Sequence, residues 1–475
     1  MAQPTVCGKT LADIPADAVA QCTEFLDLRE IASLAMTCQS LRASAYSDHV
    51  WFRLFKERWP NLPLTGGASD IRGKYINRLT AIHQMKFSDP SLGYLSTFPT
   101  QAVNHLILDK SNLWASKGSD AELYRLNTFG SVHGYKTLKS HGSRITSIRL
   151  IPIADTWLSR SETSNTDNTL VTSSADRTIR LWWKGKSQRC FKGHTGPVTA
   201  LADKLVGGFG DTKLLASGGE DCMVKVWSVG SSHKNHAIAT YHGHEKPLSF
   251  LAVSWHKPSL LISISKDSKL RAWDATASGS SPCVGTASLS GTPVGVKCHD
   301  TICYVATRSS VAALDLRTMQ RAFTLPINGT EVCSFEILPA KWMMCTGVHD
   351  RALLWDIRKS SQDSTPVANL DSDGRVTLLH MDQYKVVTAG SSNHHVNIWD
   401  ASSTKLVNSL DCRIPGEDVL ANGVSAISVD GCRIVTTACC SEMGHVLCFR
   451  DFSICTKPVS LEDGETGPKF WETKD

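Results

Sequence analysis

The sequence predicts a mainly β chain: a C-terminal β-propeller of seven or eight blades, preceded by a small all-α domain and a linker helix. Three observations carry this. Apolar residues recur at helical spacing before about residue 100 and in short alternating runs after it. The alternating runs repeat one pattern of strands, tight turns and a terminal tryptophan. Trp182, Trp227, Trp273, Trp355 and Trp399 close copies of that pattern at intervals of about 45 residues, or about twice that from Trp273 to Trp355.

At 475 residues the chain exceeds the roughly 250–300 at which single cores divide, so two domains or a repeat architecture are expected. Its 41% hydrophobic and 20% charged residues are those of a globular protein. Fifty Lys and Arg against 45 Asp and Glu leave a net charge of +5, too even for the basic stripe that a phosphate backbone requires, so no nucleic-acid partner is expected. Residues 1–10 lack a basic-then-apolar leader, and no stretch reaches about 18 consecutive apolar residues. No membrane partner is therefore expected, and the localisation read is cytoplasmic, nuclear or both. In such a compartment the 16 cysteines read as reduced, buried small hydrophobes rather than a disulfide framework.

Taken in order, residues 1–9 read as a flexible N-terminus, 10–59 as the helical domain, 60–100 as a linker with a helix, 101–455 as the propeller and 456–475 as a tail. In the helical domain Val19, Cys22, Phe25 and Leu26 share one face, and Ile31, Leu34, Ala35 and Cys38 share another. Asp27 and Asp48 are placed to cap the second and third helices, and Asp70 a linker helix through Tyr75, Ile76 and Leu79.

Two propeller copies are clearest. In the first, Gly193-His194 opens a turn, residues 198–201, 214–217 and 224–227 are strands, and Glu220-Asp221 is a tight turn. In the second, Gly243-His244, residues 248–253, 261–265 and 270–274, and Lys266-Asp267 hold the same places. Weaker copies end at Leu126, at Leu314-Asp315 and at Phe449-Arg450-Asp451. Ring closure needs one blade completed by a strand from the other end of the repeats. Residues 86–95 and 453–461 both qualify, and the sequence leaves the choice open.

Residues 102–451 resemble Trp-Asp repeats, through Gly-His at 193 and 243, Trp-Asp at 273, 355 and 399, and turn aspartates at 176, 221, 267 and 350. The resemblance implies that His, a strand Ser or Thr, the turn Asp and Trp form a buried hydrogen-bonded chain fixing each blade. Those residues would be His194, Ser217, Asp221 and Trp227 in one blade, with His244, Asp267, Trp273, Asp350, Trp355 and Trp399 playing the same structural parts elsewhere. It also implies a protein-binding channel mouth, where the candidate substrate residues are Arg144, Lys246, Lys266, His349 and Arg375, beside Thr146, Ala175, Thr199, Glu220, Cys333 and Ser392. A phosphopeptide would need converging Arg and Lys, and this set is thin, so a solvated surface or a polar and apolar peptide site is the favoured expectation.

Residues 11–59 resemble an F-box, through Leu11-Ala-Asp-Ile14-Pro15, Phe25-Leu26-Asp27-Leu28, Leu34-Ala-Met-Thr37-Cys38, Ser40-Leu41-Arg42, Trp51, Leu54 and Trp59. That resemblance implies docking to a Skp-type adaptor, and through it to cullin and RING subunits, by Leu11, Ile14, Pro15, Leu26, Leu28, Ile31, Leu34, Cys38 and Leu41. Together the two resemblances imply the non-catalytic substrate receptor of an SCF-type ubiquitin ligase, which acts by holding a protein substrate near activated ubiquitin.

Two other architectures stay open: a propeller docked to a cullin-four ligase through Trp355-Asp356-Ile357-Arg358, and a scaffold outside any ligase. Neither a phosphate-cradling Gly-rich loop nor a Gly-x-Ser-x-Gly elbow occurs. Cys432, Cys439, Cys440, His445, Cys448 and Cys455 lack paired Cys-x-x-Cys knuckles, so no metal or other cofactor is expected there.

Overall fold

The computed structural model describes residues 16–26, 28–58, 71–76, 85, 90–97, 103–126, 132–160, 168–207, 212–230, 235–277, 282–327, 329–358, 365–392, 394–401, 403–412, 420–440 and 444–452. It divides into two compact units, Met1–Lys86 and Phe87–Asp475.

The first unit contains helices α1 (Ala16–Cys22), α2 (Leu28–Thr37), α3 (Gln39–Ala45) and α4 (Asp48–Arg58), and residues 71–76 are also helical. The expected face through Cys38 is interrupted. Cys38 has an extended backbone and its Sγ accepts the Leu41 N–H at 3.5 Å, so it caps α3 instead of continuing α2. Ile31, Ala35, Leu41, Ala45, Val50, Trp51, Leu54, Phe55 and Tyr75 are buried. Trp51 donates its indole N–H to the Ala45 carbonyl at 3.0 Å and meets Tyr75 edge to face, with ring centroids 5.4 Å apart. The Arg53 guanidinium donates to the Thr23 carbonyl at 2.8 Å, tying α4 to the turn that follows α1.

The second unit is a propeller of eight four-stranded antiparallel sheets. Blades 1–8 begin with the inner strands Val103–Asp109, Ile145–Pro152, Val198–Gly207, Leu248–Val253, Pro293–His299, Ser334–Leu338, Leu378–Met381 and Leu420–Asp430. Each sheet buries apolar side chains against the next. Val171, Ile179 and Leu181 of blade 2, for example, meet Leu201, Leu215 and Trp227 of blade 3. The tryptophans Trp182, Trp227, Trp273, Trp355 and Trp399 all sit in the layer shared with the preceding blade. Tyr124 and Leu314 occupy the corresponding place in blades 1 and 5, joining layers that carry no tryptophan.

The ring is closed from its N-terminal side. Ser91–Thr97 pairs with Gly444–Asp451 in unbroken antiparallel register, from Ser91 opposite Asp451 to Thr97 opposite His445, and forms the outer strand of blade 8. The propeller therefore begins inside the segment expected as linker, ahead of residue 101. Of the two candidate closing segments it is the earlier one that pairs, while 453–461 lies outside the described residues.

Short polar contacts join neighbouring inner strands. The Thr199 hydroxyl donates to the Leu248 carbonyl at 2.8 Å and that of Ser334 to Val376 at 2.8 Å. Ser425 donates to Val103 at 3.2 Å, linking the last blade to the first. Thr146 reaches Val198 in the same way. Thr146 and Thr199, expected beside the substrate residues, thus spend their hydroxyls holding blades together.

Candidate functional site

Blades 2, 3 and 4 contain complete His–Ser/Thr–Asp–Trp chains. In blade 3 the Trp227 indole N–H donates to Ser217 Oγ at 2.8 Å, Ser217 Oγ lies 2.7 Å from His194 Nε2, and His194 Nδ1 lies 2.8 Å from Asp221 Oδ2. Blade 4 repeats this with Trp273, Ser263, His244 and Asp267 at 2.8, 2.7 and 2.9 Å. Blade 2 has Trp182, Thr172, His141 and Asp176 at 2.8, 2.7 and 2.9 Å.

Chemistry fixes the direction of each chain. The indole only donates and the carboxylate only accepts, so Nδ1–H donates to the aspartate, and where the imidazole is neutral the hydroxyl donates to Nε2. The aspartate's remaining capacity is met by turn N–H groups, those of Thr195 at 3.0 Å and Met223 at 3.2 Å for Asp221. A Cβ on Gly219 would lie 2.6 Å from Asp221 Oδ1 and 2.8 Å from His194 Nδ1, which is why this position carries no side chain. The groups of each chain are thus bonded to one another and to the turn, tying strand and turn of the blade together.

Burial, opposed by the hydrogen bond to the aspartate partner, holds His141 and His244 below the ordinary imidazole value. Burial raises the carboxyls of Asp176 and Asp221, but hydrogen bonds outweigh it, led by Thr178 and His194 respectively, and hold both at about 2. Both effects have the same sign. The depressed imidazoles contribute stability above about pH 6.5 that is lost as pH falls below it, and the depressed carboxyls contribute stability above about pH 4 that is lost toward pH 2. The urea midpoint is expected to fall from about pH 7 to about pH 3, with separate losses in the imidazole and carboxylate ranges. A midpoint independent of pH across that range would contradict this.

The remaining blades depart from the expectation. Asp350 was expected within such a chain, but it is exposed and pairs with Arg351 at 2.6 Å. With no histidine to hold it, the carboxylate stays in solvent. Among the described residues Trp355 and Trp399 keep only the second half of the chain, donating to Thr346 at 2.9 Å and Thr388 at 3.0 Å. In blade 8, Arg450 takes the tryptophan's place. It lies opposite Ile434 as Trp227 lies opposite Leu215, and its guanidinium donates to Thr436 at 3.1 Å.

Arg144, Lys246, Lys266, His349 and Arg375 all fall on one face, where loops lead into the inner strands and second strands turn into third. Backbone bonds fix this arrangement: Ala175 N–H to Arg144 O and Lys266 N–H to Pro247 O at 3.0 Å each, and Val376 N–H to Val348 O at 3.0 Å. Arg144, Lys246, Lys266 and His349 are exposed. Arg375 is not available in the same way. It is half-buried, donates to Cys333 Sγ at 2.9 Å, and lies 3.7 Å from a Glu331 oxygen that Arg308 also approaches at 3.4 Å. Nearby, Lys269 pairs with Glu245 at 2.8 Å. Lys246 and Lys266, adjacent through their backbones, form no ion pair with the described residues, so this corner presents uncompensated positive charge.

In the helical unit the residues expected to face the adaptor differ in exposure. Ile31 and Leu41 are 0% and 5% exposed and hold the unit together, because core and contact residues share the same helical spacing. Leu26, Leu28, Leu34 and Cys38 are half-buried, and Leu11, Ile14 and Pro15 lie outside the described residues. Among the described residues of this unit the most exposed large apolar side chains are Phe25, 89% exposed, and Met36, 80% exposed, neither of which belonged to the expected set.

Arg358 donates to both oxygens of its own Asp356, at 3.1 and 2.8 Å, and Trp355 of the same motif is buried. Among the described residues no group of three His, Cys, Asp or Glu is placed to hold a metal. Cys448 is buried, which pushes its thiol up to about 11, and Cys455 lies outside the described residues. A cavity of about 190 Å³ opens against the inner strands of blades 7, 8, 1 and 2, lined by Asn104, His105, Ile107, Arg149, Leu378 and Ile427 among others. His105 is already bonded to the Thr146 carbonyl at 3.0 Å, and burial, opposed by that bond and aided by Arg149, holds its imidazole below the ordinary value. Among the described residues no helix is long and apolar enough to cross a membrane.

Comparison with known proteins agrees with this geometry. Residues 134–182 and 185–228 match the family described as WD domain, G-beta repeat. The chain is 36% identical over 113 residues to the nuclear distribution protein nudF of Aspergillus flavus, covering 23% of this chain and 24% of that protein. It is 30% identical over 235 residues to the CCR4-associated factor 4 homolog of Candida glabrata, covering 47% and 33%. The chain thus spans a quarter to a third of the length of these relatives. Among solved structures, that of the computationally designed Ika8 protein is similar in fold, with a TM-score of 0.56 at 17% identity, covering 74% of this chain and 97% of that one. The matched repeats are blades whose tryptophans close the hydrogen-bonded chains, and the chain carries WD repeats within an eight-bladed β-propeller.

Proposed function

We propose that the protein is the substrate receptor of an SCF-type ubiquitin ligase: the helical unit docks to a Skp-type adaptor, and the propeller holds a protein to be ubiquitinated. The observation that carries this reading is the pairing, in one chain, of a protein-binding propeller with a separate helical unit that has an ordered apolar core yet leaves Phe25 and Met36 bare. Large apolar side chains so exposed on a small unit mark a contact surface. The F-box resemblance of residues 11–59 names the partner.

In this reading the receptor performs no bond chemistry and works in the cytoplasm or nucleus. It raises the local concentration of substrate lysines at the ligase. The substrate sits on the face that carries Arg144, Lys246, Lys266 and His349, where the free lysine pair favours an acidic stretch.

The test is affinity purification of the full-length protein from cells with and without proteasome inhibition, beside the variant Lys246→Glu/Lys266→Glu. Bound proteins are expected to accumulate on inhibition, and the variant to lose them by about tenfold or more, since each reversed charge repels where it attracted. Partners whose amounts ignore proteasome inhibition would make the chain a scaffold outside any ligase.

A further inference from the structure

Blade 5 carries two cysteines directly opposite one another. Cys298 lies on the inner strand Pro293–His299, Cys303 lies on the next strand, Ile302–Thr307, and they are register partners across the antiparallel pair. Facing residues in such a pair have Cα atoms about 4.5–5.5 Å apart, inside the range of about 4.4–6.8 Å that a disulfide spans. The two thiols are within hydrogen-bonding reach of each other. Among the described residues, no other two cysteines are register partners.

Their surroundings differ. Cys303 is fully buried in the apolar layer shared by blades 4 and 5, and Cys298 is half-buried at the margin of that layer. The hydrogen bond with Cys298, and then burial, push the Cys303 thiol up, so it rests protonated. Cys298 is the sulfur that a small solute reaches first.

We propose that Cys298 and Cys303 form a reversible dithiol–disulfide site that takes hydrogen peroxide as its oxidant. The Cys298 sulfur attacks one peroxide oxygen, the O–O bond breaks, and the departing hydroxide leaves as water with the thiol proton, giving a sulfenic acid. The Cys303 sulfur then attacks the Cys298 sulfur. The S–O bond breaks, and the hydroxide leaves as a second water with the Cys303 proton. Two thiols and one peroxide become one disulfide and two waters, and two electrons pass from sulfur to oxygen. In a reducing compartment such a bond is transient, and exchange with external thiols, themselves oxidised to a disulfide, returns it to the two thiols.

The bridge closes a loop of about six residues, too short for a large effect on overall stability. Its effect is local. The loop holds the Asp300 turn, whose carbonyl lies 3.0 Å from His256 Nδ1 of blade 4, and Thr301 O accepts the Leu316 N–H at 2.8 Å. Oxidation therefore stiffens the contact between blades 4 and 5.

The test uses reduced full-length protein exposed to peroxide, then denatured and alkylated. Trypsin releases peptide 298–308, which contains both cysteines. The peptide is expected to appear without alkyl groups and lighter by two hydrogen atoms, and dithiothreitol is expected to return it to the doubly alkylated form. In Cys298→Ser, whose change lies at the half-buried margin and spares the core, the same peptide is expected to keep an alkylatable Cys303. A wild-type peptide that stays doubly alkylated at peroxide doses that oxidise the exposed Cys22 would overturn the proposal. So would either cysteine appearing bridged to a different peptide.

Discussion

A chain beginning at Phe87 is expected to keep the propeller's urea midpoint, whereas one beginning at Gln101 is expected to lose most of its stability and to precipitate. The difference is the strand Ser91–Thr97. Without it, Gly444–Asp451 loses its register partners from Ser91 to Thr97 and becomes an open edge, with a row of unpaired N–H and C=O groups. Open edges pair with other chains, and a propeller escapes this only by closing or by keeping its edges short. Closure also ties the two ends of the repeat region together, so that unfolding of blade 8 requires breaking the ring at both sides. The expected loss is on the order of the ~5–15 kcal/mol that holds a whole domain. Soluble yield and urea midpoints of the two truncations measure it, and equal midpoints would show that Ser91–Thr97 does not close the ring.

Trp227→Ala is expected to cost about 3–5 kcal/mol, the usual range for removing a buried tryptophan. Trp227 is 0% exposed, lies 5.5 Å from the Phe191 ring between centroids, and donates to Ser217. Its removal opens a cavity between blades 2 and 3 and takes one member from the chain that orders His194 and Asp221. Asp350→Ala is the matched control. Asp350 occupies the same turn position in blade 6 but is exposed and pairs with Arg351 at the surface, so its loss is expected to fall within about 0.5 kcal/mol. Comparable losses in the two variants, read from urea unfolding, would show that the buried chain does not set blade stability.

Much of this was legible because blade chemistry repeats at a fixed interval. The strands around Trp227 and Trp273 follow from residue type and spacing, and the chain His194–Ser217–Asp221–Trp227 from the resemblance to Trp-Asp repeats. His141 and Thr172 escaped because His141 is preceded by Ser140 rather than Gly, and because it lies 35 residues before Asp176, against 27 and 23 in the next two blades. The one available signal was the Thr–Trp spacing, which matches that of Ser217 and Trp227. Arg450 read as degeneracy, since nothing in a strand pattern says that a guanidinium can replace an indole as donor to Thr436. The closing strand was ambiguous because register between chain ends is set by tertiary pairing and leaves no local period. In the helical unit, spacing located the apolar faces but could not separate the buried Ile31 and Leu41 from the exposed Phe25 and Met36.

The receptor reading is tested most directly by titrating purified full-length protein with a purified Skp-type adaptor in a calorimeter, beside the variant Phe25→Asp/Met36→Asp. Both changes lie at exposed positions and leave the buried residues of the helical unit intact. Saturable one-to-one binding by the wild type, lost in the variant while its urea midpoint is unchanged, is the predicted result. Absence of binding by the wild type would contradict the ligase reading and leave a WD-repeat scaffold whose helical unit serves another partner.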